Sequence, residues 1–373
     1  MNPDVLISVY PTLGPTALLE RRAVAPFPFN DPGLALTHLG RGAVWLALRA
    51  LGLGPGSRLA MPAYHCGSEV EAARLAGITV NFYRVDRWLR VDEDDLARAA
   101  AESDASYVIS HFGFPMARGL SGTPLIKDAA HGLFSADDDG PLGSGADAAI
   151  FCPRKSLGVP DGGAALMRSS GFSPQGRPPS RRIVRSLGSL LLGRAALARW
   201  SAVRRGGAAA LTRMSRADSA TRARRLTETV IGEWDLAEGD IEIAAAAPSR
   251  LTRWLLQRVD GDTIRARRRQ NYGVLAAELG DACPEPFRDL PAGTCPLYFP
   301  LLVSDRPQAI ASLLARGIRA VEIWPVPHPL LDRERFADLE PLRRDLLALP
   351  VHQDLEPWHM ETVVRAAKEV VRS

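Results

Sequence analysis

The sequence predicts an α/β protein built around a largely parallel sheet, and three observations carry that prediction. Between residues 41 and 168, segments with helically spaced apolar residues alternate with short apolar runs. Those runs include "YVISHF" (107–112), "PLIKDAA" (124–130) and "DAAIFCP" (147–153), each bounded by glycine or proline, as buried strands of a parallel sheet are. At 373 residues, 46% hydrophobic and 24% charged, the chain is long enough to bury a large core.

The elements follow in order. "GRGAVWLALRALGL" (40–53) has the spacing of a helix and runs out at Gly52, Gly54 and Gly56. A strand is expected at 57–64. A helix is expected at 68–77, with Ser68 as its N-cap and Gly77 as its stop. A strand at 79–85 and a charged surface helix at 91–103 precede the three buried runs. The segment Arg177–Arg225 then breaks the pattern, with thirteen arginines against one acid, Asp218. Its "GRPPSRR" reads as a linker. Ile183, Leu187, Leu190 and Leu191 fall on one helical face, which Arg194 interrupts and Gly188 and Gly193 weaken. From about residue 250 come one or two helices, a strand at 295–303, a helix at 306–318, a strand at 320–324 and a closing helix at 356–372. The expected division is a large unit over 1–240, with an arginine-rich helical insert at about 171–225, and a smaller α+β unit over 241–373.

Composition narrows the function. The net charge of +4 is small for this length and by itself implies no nucleic-acid partner. The N-terminus has Asp4 where a signal peptide would be basic, and no run approaches the ~18 apolar residues of a membrane span. A cytoplasmic protein with reduced thiols is expected. Cys66, Cys152, Cys283 and Cys295 show no paired spacing, although Cys283 and Cys295 are close enough in sequence to bridge. There is no GxSxG elbow, no G-K-[ST] loop, no histidine pattern for a metal and no nucleic-acid-binding signature.

Chemistry concentrates at one lysine. Of 46 basic residues only Lys127, Lys155 and Lys368 are lysines. Lys155 lies in "AIFCPRKSLGVPDGG" just past a buried run, and Asp128 lies just past the preceding one. In a parallel sheet both project at the same edge, where ligands gather. An amine and a carboxylate facing one pocket form the minimum constellation for pyridoxal 5'-phosphate (PLP). The amine forms a Schiff base and the carboxylate keeps the ring nitrogen protonated. The helix start at Gly42–Ala43 offers backbone N–H groups for the phosphate. Taken by spacing alone, a loop lysine is ordinarily a solvated charge and a strand-end aspartate ordinarily a cap.

Five ordered blocks add to this: "GRGAVWLALRALGLGPGSRLAMPAYHCGSEVEAARLAG", "VISHFGFP", "LIKDAAHG", "AIFCPRKSLGVPDGGAAL" and "LPVHQDL". Together they resemble the DegT-type (DegT/DnrJ/StrS) aminotransferases, fold-type-I PLP enzymes with a large mostly parallel sheet domain and a smaller C-terminal domain. The resemblance covers about residues 38–168 and 247 to the end. It implies Lys155 as the Schiff-base lysine and Asp128 as the partner of the pyridine nitrogen. It implies His65, or failing that Tyr64, as the ring stacked on the cofactor, and His131 as a polar neighbour. Cys152 stands nearest the family's phosphate-reaching serine, Arg154 is a candidate phosphate partner, and Gly42 stands where the family has a hydroxyl. His111 and Gly113 shape the loop beneath the site. The family's "GxNYR"-like block is not recognisable, and Ser249 and Arg250 mark its place.

The implied reaction is a ping-pong transfer of an amino group from an amino acid, L-glutamate by expectation, to a ketone on a sugar nucleotide or other biosynthetic molecule, in a homodimer. Two alternatives stand beside it: a lyase or decarboxylase using the same cofactor, and a divergent member whose basic 177–225 segment meets an acidic carrier or a membrane surface.

Overall fold

The computed structural model describes residues 4–14, 24–116, 122–168, 173–228 and 238–371; for 215–228 and 238–239 it describes the backbone alone. In chain order, β1 (Ile7–Ser8) and β2 (Leu34–Thr37) precede α1 (Gly40–Ala50), β3 (Arg58–Pro62), α2 (Ser68–Leu75), β4 (Thr79–Tyr83), α3 (Glu93–Ala101) and β5 (Ala105–Ile109). Next come β6 (Leu125–Asp128), a small hairpin of β7 (Ala136–Asp137) and β8 (Gly140–Pro141), β9 (Ala148–Phe151), the one-turn helix α4 (Pro153–Ser156) and β10 (Gly163–Met167).

Seven of these strands form one sheet in the order β2-β10-β9-β6-β5-β3-β4. The pairs β3–β4, β3–β5, β5–β6 and β6–β9 are parallel, and β10 runs antiparallel to both β9 and β2. β5, β9 and β10 are buried along their whole lengths, so they read as unbroken apolar runs rather than alternating ones. β2 and β10 were not expected as strands: four and five residues of small side chains carry little strand signal of their own. The fold is the expected α/β class with a mostly parallel sheet.

Beyond it, α5 (Ser180–Ala196) and α6 (Ser201–Glu228) pack as a helical hairpin across the arginine-rich segment. Leu187 and Leu190 pack inward as expected, but Leu191 is exposed, so the apolar stripe does not include it. The two-helix alternative holds further on: α7 (Glu238–Ala245) leads to α8 (Arg250–Leu256) and α9 (Gly261–Leu279). A second sheet, β11-β14-β13, joins β11 (Tyr298–Leu302), β13 (Val321–Glu322) and β14 (Leu346–Pro350). Around it lie α10 (Arg306–Ala315), β12 (Ile318–Arg319), α11 (Glu340–Asp345) and α12 (Pro357–Val371). β12 pairs in parallel with β1, so the N-terminal strand joins the C-terminal half of the chain.

One local expectation is corrected, and the expectation of unpaired cysteines holds. Helix α2 starts from Gly67, in a left-handed conformation at φ 90°, and Ser68 caps nothing; Glu69 instead accepts the Cys66 N–H at 2.8 Å. All four cysteines are free, so Cys283 and Cys295 do not bridge. Among the described residues no helix is long and apolar enough to cross a membrane, and no cluster of three or more metal-ligating side chains occurs.

Candidate active site

β6 and β9 are neighbours, with Asp128 in register with Ile150, so their C-terminal ends deliver side chains to the same edge. Asp128 is the last residue of β6. Its Oδ2 accepts a hydrogen bond from Tyr107 Oη at 2.7 Å and its Oδ1 accepts the Ala130 N–H at 2.7 Å. Both oxygens are thereby oriented. Burial pushes the Asp128 carboxyl up, and these two donors with Lys155 pull the other way.

Lys155 comes from α4, directly after β9. Pro153 occupies the first turn, where a missing N–H costs nothing, and the Lys155 N–H reaches back to Cys152 O at 2.9 Å. The far end of that turn is held by Arg268 and Gln353, which donate to Ser156 O at 3.0 and 3.1 Å. Lys155 Nζ lies 3.1 Å from His131 Nε2. Burial drives the His131 imidazolium well below its ordinary range, with Lys155 and His111 adding to the effect, so the ring is neutral. A neutral imidazole with a lysine donating to Nε2 carries its own proton on Nδ1, so the 3.4 Å approach of the Phe112 N–H to Nδ1 is packing. Burial alone would lower the lysine; Cys152, Cys66 and Asp128 outweigh it and hold the amine above its usual value.

Lys155, Asp128, His131, Cys152 and Arg154 line one cavity of about 260 Å³. Five of the nine expected residues are thus brought together. The other four are not. His65 is buried flat against Phe82, with centroids 5.3 Å apart and planes at 14°, and lines no part of the cavity. Tyr64 donates to Ile323 O at 2.8 Å beneath the Arg343 guanidinium and is likewise outside it. The strand-end turn takes Cys66, not the two ring residues before it, to the cavity wall. Gly42 and Ala43 also face away: their N–H groups both turn back to Leu39 O, at 3.0 and 3.3 Å. A Cβ on Gly42 would stand 2.1 Å from Ala244 O, so this glycine is required by the close approach of α7.

At the start of α1 it is Gly40 and Arg41 that line the cavity. Arg41 Nε is buried with no hydrogen-bond partner among the described residues. Burial pushes this guanidinium down, Asp240 raises it, and Arg182 and Arg154 lower it further. The helix has no side-chain N-cap and no acid in its first turn. Two arginines beside a helix N-terminus are repelled by its dipole unless an anion sits between them. The donor set therefore fits a phosphate, and with Lys155 and Asp128 it fits PLP.

Three further residues escaped the sequence reading. Glu69 is buried in the same cavity, where burial first and Asp128 second push its carboxyl to about 7. Cys66 lines it from the strand-end turn. Trp324 arrives from the C-terminal half at φ +47°, with its ring 5.5 Å from His131 and 5.4 Å from His111. Arg41 and Cys66 are direct neighbours of residues that were singled out, and the helical first turn could have pointed to Arg41. Nothing local marks Trp324. A second cavity of about 410 Å³ shares Cys66, His131, Lys155 and Trp324 with the first and adds Tyr10, Tyr298 and Glu322. Beneath both, the 111–113 turn places Phe112 at φ 56° and Gly113 at φ 93°, where a Cβ would stand 2.5 Å from Cys295 O. Ser249 caps α8 and donates to Asp161 by N–H and Oγ, both at 2.8 Å, while Arg250 opens that helix.

Comparison with known proteins agrees with this geometry. Residues 22–175, the segment that holds the cluster apart from Trp324, match the DegT/DnrJ/EryC1/StrS aminotransferase family. Among curated proteins none matches the chain in sequence. The fold is similar to that of the aminotransferase TlmJ from Streptoalloteichus hindustanus, with TM-score 0.62 and 19% identity over 98% of this chain and 99% of that one. It is similar to the sugar aminotransferase CalS13 from Micromonospora echinospora, with TM-score 0.60 and 16% identity over 99% and 100%. Spr1654 from Streptococcus pneumoniae in its PLP form gives TM-score 0.60 and 16% identity over 97% and 93%. The resemblance read from the sequence blocks is borne out. The chain shares the fold of these fold-type-I aminotransferases, and residues 22–175 match an aminotransferase family.

Proposed function

We propose that this chain is a PLP-dependent aminotransferase that moves an amino group from an amino acid, L-glutamate by preference, to a keto group on a sugar nucleotide or similar biosynthetic ketone. The observation that carries the reading is the shared cavity of Lys155, Asp128, Arg41 and Arg154 at the C-terminal edge of the sheet.

When bound, PLP supplies an electrophilic aldehyde and a ring that accepts the electron pair left when a substrate carbon loses its proton. The chain's residues do the rest. Lys155 Nζ is the amine that would hold the cofactor, and as a free amine it would be the base and acid that moves the substrate proton. His131 Nε2, 3.1 Å away, accepts from it and fixes its approach. Asp128, pinned by Tyr107 and Ala130, holds the proton of the ring nitrogen. Arg41 and Arg154 bind the phosphate. Cys66 and Trp324 stand between the two cavities, and the larger one receives donor and acceptor in turn. A homodimer, a cytoplasmic location and a division into units 1–240 and 241–373 are part of the same proposal.

Borohydride treatment of the PLP-loaded protein followed by peptide mass mapping should find a pyridoxyl group on Lys155. L-glutamate added first should bleach the visible absorbance and release 2-oxoglutarate. Lys155→Ala should lower turnover by about 10⁴-fold or more, and Asp128→Asn by about 10²-fold, both with unchanged far-UV circular dichroism. A labelled lysine other than Lys155 would sink the assignment, and a cofactor signal indifferent to glutamate would favour another donor or a lyase.

A further inference from the structure

The helical hairpin of α5 and α6 is left unused by this chemistry, and its surface has two properties at once. It is strongly basic: from Ser180 to Met214 there are eight arginines and no acid. It is also apolar where it meets solvent. Trp200 at the turn is 76% exposed and Val184 is 69% exposed, and Leu191 and Val203 are exposed as well. On α5, Val184 and Leu191 are seven residues apart and so share a face, flanked on one side by Arg181 and Arg185 and on the other by the buried stripe of Leu187 and Leu190. Arg199 is paired with Glu356, and Arg204 donates to Asp4 O, Ala198 O and Arg199 O. Arg181, Arg182, Arg185 and Arg205 are exposed.

We infer that this hairpin is a docking face for an anionic lipid surface. Arginines around exposed Trp, Leu and Val are what an interfacial helix needs: the indole and aliphatic groups enter the headgroup boundary while the guanidiniums meet lipid phosphates. A second copy of this chain is the poorer occupant, because a two-fold interface would set one arginine-rich patch against another. A nucleic acid would satisfy the arginines but leave Trp200, Val184 and Leu191 without a partner. The hairpin also lies near the candidate active site: Ser189, Leu190 and Gly193 of α5 line a small cavity with Tyr10, which in turn lines the larger cavity beside Lys155. Docking there would hold the cavity near the membrane plane.

The test is co-sedimentation of the full-length protein with vesicles of phosphatidylcholine alone and of phosphatidylcholine with phosphatidylglycerol at about 2:1. The parent should sediment with the anionic vesicles only, and less as salt rises. Arg181→Gln/Arg182→Gln should weaken binding about 30-fold at low salt, and Trp200→Ser about fivefold or more, with a loss that salt does not mimic. Circular dichroism and light scattering of both variants control for folding and assembly. Equal sedimentation with both vesicle types, no sedimentation with either, or variants that bind like the parent would overturn the proposal. A Trp200→Ser protein that changes oligomeric state would make the face a subunit contact instead. Salt-sensitive binding to an acidic carrier protein without vesicle binding would make it a protein-docking site.

Discussion

A buried carboxyl that is not the obvious one decides much of the site's electrostatics. Glu69 sits with Asp128 and Lys155 in a cavity that cannot hold two unscreened carboxylates cheaply, and its carboxyl rises from the ordinary 4.5 to about 7. The groups facing it come from four elements: Asp128 from β6, Lys155 from α4, Tyr107 from β5, and Cys66 and Ser68 from its own turn. A carboxyl that holds its proton more tightly when folded costs stability once it must ionise in place. Stability should therefore fall as pH rises from about 4.5 through about 7, and the loss should be complete above that. Glu69→Gln keeps an oxygen for the Cys66 N–H and carries no charge. Thermal melts of the PLP-free protein should show the variant gaining on the order of 2–3 kcal/mol over the parent at pH 8 and little at pH 5. A gain that is the same at both pH values would mean Glu69 is no more than a helix cap.

At the scale of elements, the site depends on how closely helix starts and strand ends approach one another. α1 is drawn against α7 at Gly42, and the Leu39 N–H donates to Ala244 O at 3.0 Å on the same line of contact. Gly42→Ala should push the two helices apart, destabilise the protein by about 1–3 kcal/mol and weaken PLP retention, because Arg41 moves with the first turn of α1. Equilibrium dialysis of PLP against parent and variant would show it; a variant that melts lower yet holds PLP as tightly would separate the packing from the phosphate site. Element types were largely legible because β5 and β9 are short, wholly buried and mostly apolar runs, and helices 1 and 2 have helical period and end at glycines. Side-chain direction at the strand ends was not. One residue further along the turn after β3 exchanges the wall of the cavity for its foundation, which is why Cys66, not His65 or Tyr64, faces the candidate cofactor site.

Across the whole molecule, a buried arginine ties the turn that carries Lys155 to the C-terminal half. Arg268, from the middle of α9, donates to Ser156 O beside Lys155, to Pro296 O and Leu297 O ahead of β11, and to Gln353 Oε1 after β14. It is 1% exposed, and no carboxylate is among these acceptors, so its charge is met by carbonyl dipoles; burial pushes the guanidinium down. Thr12 adds a second tie, donating through N and Oγ1 to Asp354 at 2.6 and 3.0 Å, with Tyr10 in the larger cavity just ahead of it. Arg268→Ala should cost about 3–5 kcal/mol, since four acceptors lose their donor together. Arg268→Lys should recover only part of that, because a point charge cannot span the fork. Denaturant melts of the two variants would check this. Full recovery by lysine would mean that charge, and not the planar set of donors, holds the two halves together.

The sequence of residues 41–168 determined the α/β architecture and brought Lys155 and Asp128 to one sheet edge, and the same stretch with the late "LPVHQDL" block carried the resemblance to an aminotransferase family. Each of these rests on information local in the chain: apolar period, glycine and proline punctuation, and one of three lysines in a chain that otherwise uses arginine. The tertiary structure alone decided which side chains close the cavity. Trp324 reaches it from a segment about 170 residues beyond Lys155, Arg41 and not Gly42 faces it because α7 occupies the other side of α1, and Glu69 becomes a weak acid only through its burial beside Asp128. Contacts between distant segments and the loss of water around a charge have no signature in a local stretch of sequence; they exist only once the chain has packed.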